Sequence, residues 1–385
     1  MPLRNDKCFT MEIKNITPKD EFQYFFGYYD LQPYSEDGLT HLAHRVKFKD
    51  RLPNKTDVAE VGFIDLKTLS FNKIAETRAW NFQQGALLQW AESGKTVIYN
   101  DYDGKKYVAR VSDINGNLIK TYDRPFAAIS ADRKSGLSIN FARVYDFRKG
   151  YGYCNITDPY SGSLAPRKDG LFLTDLSSGK TELVYSYAFF KKAFSEQPFT
   201  DMKLVINHVT FSPSGKKFIM LFRNFPEEGK KWGTVLAVGD FNGNVKKLTN
   251  FEVNSHYSFL DDDNIMIYSG LPEWGVYFIN LTTGERRRLN EPILDADDIH
   301  VNYSPDKTRF IGDGYPDKNY MRTLFMYDFK TRSVREIIKV LSERVKDVDI
   351  RCDLHARWNQ KGDKISYDTT ESGRREIREI ILTDL

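Results

Sequence analysis

The feature that most constrains this chain is a repeat in its second half. Four stretches align: "HVTFSPSGKKFIMLF" from His208, "HYSFLDDDNIMIYSG" from His256, "HVNYSPDKTRFIGDG" from His300 and "HARWNQKGDKISYDT" from His355. Each reads histidine, two residues, an aromatic, a polar turn, and then alternating apolar residues, the pattern of one strand turning into the next. The first three are followed by "VLAVGDFNGNVKKLT", "VYFINLTTGERRRLN" and "LFMYDFKTRSVREII", each two strands joined by a tight turn. The unit is therefore four strands about every 45 residues, the size of a propeller blade. "LQPYSEDGLTHLAHR", "LLQWAESGKTVIYND" and "FAAISADRKSGLSIN" fit the same frame more loosely and bring the count to seven. The predicted fold is all-β: a seven-bladed β-propeller of four-stranded antiparallel blades.

The two ends of the repeat predict how the ring closes. The last unit stops at its third strand, "EIREIILTDL", while "CFTMEIKNIT" precedes the first unit as a lone strand. Pairing Met11–Ile16 with the last blade would complete it and remove two exposed sheet edges. Two separate β-sandwiches would leave both the lone strand and the period unexplained. Residues 1–385 are thus expected to form a single domain, with an insertion at about 143–169 between strands of the third blade.

Composition narrows the partners. Lys plus Arg number 56 against 53 Asp plus Glu, a formal charge of +3, without the basic excess that binding a phosphate backbone requires. Nucleic acid is not an expected partner. The 27 Phe and 22 Tyr favour strands and also suit stacking on sugar rings. Cys8, Cys154 and Cys352 lie far apart and form no CxxC pair, so they read as reduced thiols. The segment "MPLRNDKCFTMEIKN" has no apolar signal region, and no run approaches the roughly 18 apolar residues of a membrane span. A cytoplasmic protein with no membrane partner is the expectation.

Function is concentrated in the repeated histidine. Four of the six histidines share one register on four consecutive blades, where the first three units carry Leu31, Leu87 and Phe126. Innermost strands of a propeller surround one axis, so His208, His256, His300 and His355 are expected to converge at one mouth of the channel. A single buried histidine is commonly a satisfied core residue. Four in one register are harder to satisfy, because each neutral ring brings a donor and an acceptor. Several imidazoles with a carboxylate make a divalent-metal site suited to Zn, Mn, Fe or Ni, and Asp353, two residues before His355, supplies the carboxylate on the same face. A histidine outside the metal would serve as a general base.

The strands "SHYSF", "IHVNYSPDKTRFIGDGYPD" and "LHARWNQKGDKISYDTTESGRREIREIILTDL", in that order, resemble the C-terminal half of oligogalacturonate lyases, best from about residue 200 to the end. Those are seven-bladed propellers that cleave uronate-containing oligosaccharides by β-elimination. The resemblance implies a divalent ion, typically manganese, on His300 and His355, with His256 as base. The family's extra histidine two residues before the last ligand is Asp353 here, and no glutamine stands at the expected place. Arg223, at the end of "FIMLFRN", would lie near the substrate carboxylate, and His208 would be a fourth ligand or a substrate contact.

The first half adds candidates for substrate binding: Tyr28, Tyr29 and Asp30 in "FFGYYDLQPYSEDG", and Gln83 and Gln84 in "RAWNFQQGALLQW", beside Trp80 and Asn81. The alternative for Trp80 and Phe82 is packing between blades. Arg143, Arg148 and Tyr151 lie on the insertion, placed to form a loop over the mouth and clamp a carboxylate. The expected partner is a uronate-containing oligosaccharide. Two other functions remain: a hydrolase or other sugar-modifying enzyme using Asp30, Asp101 or Asp353, and a non-catalytic binding scaffold.

Overall fold

A computed structural model of the chain describes residues 10–198, 201–228, 230, 232–270, 272–296 and 298–383; Cys8 lies outside them. Their 28 strands form seven four-stranded antiparallel sheets in chain order around one axis. The second strand of a blade is sandwiched between neighbouring blades on both faces. Lys217–Asn224 is accordingly buried at every position but the first, and it reads as an apolar run instead of an alternation. Outermost strands such as Ser70–Thr77 are half solvated, with Ser70, Asn72, Lys73 and Glu76 exposed and Ile74 and Thr77 buried.

Ring closure follows the expected route. Thr10–Asn15 pairs antiparallel with Glu376–Thr383, so the last blade comprises Arg357–Trp358, Lys364–Thr369, Glu376–Thr383 and the N-terminal strand. Ile16 N–H continues the ladder to the Ile377 carbonyl at 3.1 Å.

Two departures from a regular blade shape the axis. In blade 1, Gln23–Phe25 pairs with His44–Val46 and Tyr34 bridges His41, while residues 26–33 leave the ladder between them. This excursion enters the channel. In blade 3, the connection from Ser138 to Gly170 carries the helix Phe141–Phe147, capped by the Asn140 side chain, and a 3₁₀ turn, Lys149–Tyr151.

Among the described cysteines, Cys154 and Cys352 are free thiols. Among the described residues, no helix is long and apolar enough to cross a membrane.

Candidate functional site

The inner strands Leu204–Phe211, Asn254–Phe259 and His300–Tyr303 each place a histidine before an aromatic. His256 and His300, near the starts of their strands, gather with His355 at one mouth, whereas His208 sits in the middle of its strand, deeper along the channel. The His256 and His300 ring centroids lie 4.0 Å apart, and those of His300 and His355 4.5 Å apart. His208 stands further round, 5.0 Å from the Tyr28 ring. At three of the four positions the backbone is irregular. Strand register shifts between Ile206 and His208 and again between Asn254 and Tyr257, bulges of the kind that re-aim a side chain. His355 has φ +43°, which costs a non-glycine residue roughly 1–2 kcal/mol. Leu87, its counterpart in blade 2, shares this conformation at φ +51°. Residues 351–356 are consequently not strand. Asp353 and His355 meet through this bend, and not through the pleat that the sequence led us to expect.

The blade 1 excursion fills the centre. Phe26 and Gly27 N–H groups donate to Asp368, Arg357 Nε donates to the Tyr28 carbonyl at 3.2 Å, and Arg357 also binds the Gly27 carbonyl. Gly27 has φ +128°, and a Cβ there would meet the Gln84 backbone at 2.9 Å, so only glycine fits. Tyr28 then stands among His208, His300 and His355. Tyr29 is pinned by its hydroxyl to the Tyr257 carbonyl at 2.9 Å. Asp30 emerges in a cavity at the opposite mouth and faces His208 Nε2 at 3.3 Å.

Hydrogen bonds set which nitrogens stay open. The Gly27 carbonyl can only accept, so His355 Nδ1 donates to it at 2.9 Å and Nε2 keeps its lone pair. Nδ1 of His300 faces Asp313 at 3.3 Å, and Asp313 also accepts from Leu354 N–H, tying two blades together. His300 Nε2, His355 Nε2 and Asp353 Oδ2 are buried atoms without a hydrogen-bond partner among the described residues. One donor atom each from His300, Asp353 and His355 falls within 4.8 Å of the others. Two imidazoles and a carboxylate with open lone pairs fit a divalent cation.

Asp353 is also engaged elsewhere. Its Oδ1 accepts from Arg351 Nε at 3.0 Å and pairs with Arg322 at 2.7 Å, while Oδ2 lies 2.8 Å from Arg351 Nη2 without hydrogen-bond alignment. Burial alone would raise its pKa, but Arg351 and Arg322 outweigh it and hold the carboxyl well below its usual range. Burial and the charge of His300 push His355 well below an ordinary histidine. His300 goes the other way, because Asp313 and Asp353 overcome the burial that opposes its charge.

His256 stands beside this group and is oriented by a partner that sequence reasoning missed. Its Nδ1 lies 2.9 Å from Asp298, leaving Nε2 with no hydrogen bond inside the described chain. Burial lowers its pKa to about 4, with Asp298 opposing, so the ring is neutral at pH 7. The available signal was that Asp298 precedes His300 by two residues.

The other expected residues divide. Arg223 lies at this mouth, but its guanidinium binds Thr234, Asn207 and the Asn254 carbonyl, and burial lowers its pKa to about 10. Arg148 lines the same cleft as Arg223 and approaches Asp349 at 3.4 Å. Gln84 lies 3.5 Å from His208, whereas Gln83 donates to the Arg351 carbonyl at 2.9 Å as a buried strut. Arg143 must be corrected: fully buried, it binds Asp158 at 2.9 Å and the carbonyls of Tyr160, Ser163, Leu164 and Leu204, leaving no donor for a ligand. Trp80 and Phe82 pack with Phe25 and Phe48 in the core. Asp101 pairs with Arg110 at 2.8 Å in blade 2 and takes no part in the axial cluster.

This fold and axis define a class: a seven-bladed propeller whose mouth combines imidazoles, guanidiniums and an aromatic plug. Within it, the chain is similar to the oligogalacturonate lyase of Vibrio parahaemolyticus, at 14% identity and a TM-score of 0.66, over 97% of this chain and 96% of that one. It is likewise similar to an oligogalacturonate lyase in complex with manganese, at 14% identity and TM-score 0.66, over 98% and 96%. A puromycin-hydrolysing peptidase of Mycobacterium tuberculosis is similar at 12% identity and TM-score 0.54, over 94% of this chain and 56% of that one. No family model and no curated protein matches the sequence. At such identities the likeness establishes the shared propeller fold, and it extends over nearly the whole chain instead of the second half alone.

Proposed function

We propose that the protein is a lyase that cleaves a glycosidic bond next to a uronic acid by β-elimination. The observation that carries this reading is the pairing of a neutral, Asp298-oriented His256 with three open donors on His300, Asp353 and His355. His256 Nε2 takes the proton from C5 of the uronate, and Asp298 receives the Nδ1–H hydrogen bond and stabilises the imidazolium that results. The C5–H electrons become the C4–C5 double bond as the C4–O bond breaks, the departing oxygen takes a proton from water at the mouth, and the His256 imidazolium returns its proton to solvent. Arg223 supplies positive charge at the same mouth, where the substrate carboxylate gains negative charge in the transition state. His300, Asp353 and His355 would hold a divalent cation, manganese by analogy, which supplies Lewis acidity toward that carboxylate when bound. Buried Tyr28 and Tyr29 close the channel beneath and keep bulk water from entering through the opposite mouth.

A hydrolytic reading has less support. Asp30 faces His208, Asp101 faces Arg110, and Asp353 is held by two arginines. Glycoside hydrolysis needs a cooperating carboxylate pair, and these three share no partner. A plain scaffold would give no reason for buried imidazole lone pairs left open at one point.

The test is to record near-ultraviolet absorbance and reducing ends together, with oligogalacturonates and other uronate oligosaccharides, with and without added Mn²⁺. Absorbance rising in step with reducing ends is expected, because the new double bond is conjugated to the carboxylate. Reducing ends without absorbance would replace the lyase with a hydrolase.

A further inference from the structure

The chain has five tryptophans, and the structure treats them in two ways. Trp80, Trp90 and Trp358 are buried at 2%, 5% and 2% exposure, whereas Trp232 and Trp274 stand at 37% and 51%. Both exposed rings line one cleft of about 580 Å³ at the histidine mouth, together with Arg148, Arg223 and Asp298. That volume is in the range of small-molecule sites. Asp298 ties the cleft directly to His256.

Each ring is braced on one side. Trp232 meets the Phe147 ring edge-on at 5.4 Å, and the guanidiniums of Arg223 and Arg148 lie 5.7 and 5.9 Å from its centre. Trp274 stacks on Tyr268 at 5.6 Å and 27°, and the Tyr268 hydroxyl donates to the Asp295 carbonyl at 3.2 Å. Braced rings lose little freedom when a ligand covers their open face. A sugar ring presents an apolar C–H face to such a surface and hydroxyls to its polar rim, here Ser255 and Asp295. Arg148, beside the Trp232 ring, selects among sugars for one that carries a negative charge.

We propose that the Trp232–Trp274 cleft is a second sugar subsite that holds a neighbouring uronate of the oligosaccharide by stacking, with its carboxylate toward Arg148. The inference rests on the lyase reading for the identity of the sugar. It makes the preferred substrate an oligomer that spans the His256 centre and this cleft together.

The test uses full-length protein carrying His256→Ala, so that binding is read without turnover. Trigalacturonate is titrated while tryptophan fluorescence and heat of binding are followed, and a neutral trisaccharide of equal length is the comparison. Trigalacturonate should perturb the fluorescence, and Trp274→Ala or Trp232→Ala should each weaken its affinity on the order of tenfold. Trp274→Phe should retain most of the affinity. Thermal melts exclude misfolding, which is not expected at a half-exposed side chain. Trigalacturonate binding that is equal in the parent and both alanine variants would overturn the subsite while leaving the lyase reading standing. A tryptophan-dependent response to the neutral sugar in preference to trigalacturonate would overturn the uronate assignment, and with it the inference as stated.

Discussion

Blades 4–7 and blades 1–3 are built from the same four-stranded unit, yet they bring opposite chemistry to the axis. The later blades present His208, His256 and His300 from their inner strands and His355 from the bend before Arg357–Trp358. The earlier blades present no axial imidazole, and blade 1 instead sends Tyr28 and Tyr29 into the channel on an excursion from its ladder. The remaining two histidines, His41 and His44, sit in blade 1, fully buried in its core. His44 Nε2 accepts from Ala86 N–H at 2.9 Å and His41 Nδ1 donates to the Leu42 carbonyl at 2.7 Å. The same residue type thus clusters at the axis in one half and packs inside a blade in the other. What separates them is whether the ring faces the shared axis or a neighbouring blade.

Removing His256, the proposed base, tests this contrast most sharply. His256→Ala should lower turnover by roughly 10²- to 10⁴-fold, as general-base losses do, while bound metal per chain stays unchanged. An equal loss from His44→Gln, with the fold intact, would erase the distinction between the two sets.

The next largest effect is expected in the plug. Arg357 is buried, pairs with Asp368 at 3.2 Å and carries the carbonyls of Gly27 and Tyr28. Arg357→Ala should cost about 3–5 kcal/mol of unfolding free energy, because it strands the Asp368 charge. Urea unfolding reads this directly. A loss under 1 kcal/mol would mean the excursion does not depend on that anchor.

Metal content separates the proposed ligands from the proposed base. His355→Ala removes one of three donors and should abolish retention of Mn²⁺ through dialysis, measured as metal per chain. His208→Ala should leave it unchanged, since His208 belongs with Asp30 and Gln84.

The smallest expected effect is acid sensitivity in blade 1. Burial is the main cause that lowers the pKa of His41 to about 3 and of His44 to about 4, against 6.5 for an ordinary histidine. Protons bind the unfolded chain first, so stability is full above pH 6.5 and falls as pH drops toward 4. Each group contributes about 1.4 kcal/mol per pH unit in that window. His44→Gln keeps an acceptor for Ala86 and should flatten the slope of unfolding free energy between pH 6 and 4.5 by about that amount. An unchanged slope would show that His44 is not protonated on unfolding in that window.

Much of the fold was legible because a blade is a local object. Hairpin alternation, polar turns and a period of about 45 residues all lie within short stretches of chain, and the unpaired strand at one end matched the missing strand at the other. The histidine register was legible for the same reason. Asp298 was passed over because it pairs with a residue 42 positions away. Arg322 was missed because it reaches Asp353 from the preceding blade, and Arg351 was passed over although it stands only two residues before that aspartate. Arg143 was misread because an arginine on an insertion looks like a free cation until its five donors are counted against carbonyls up to 61 residues distant. The Trp232–Trp274 cleft had no local signal at all, since exposure depends on what neighbouring blades leave uncovered.

The repeat, the number of blades and four histidines in one register can be read from the chain because each depends on residues near one another along it, and the closing strand, which pairs Thr10 with Thr383, could be read because the repeat left one strand over at one end and one missing at the other. Only the tertiary structure decided which imidazole nitrogens are open. Nδ1 of His355 is occupied by the Gly27 carbonyl, 328 residues away, and Nδ1 of His300 by an aspartate on the next strand. Whether a lone pair is free, a carboxylate shared or a ring neutral depends on the groups that surround it in space, and the ring of blades is what brings those groups together.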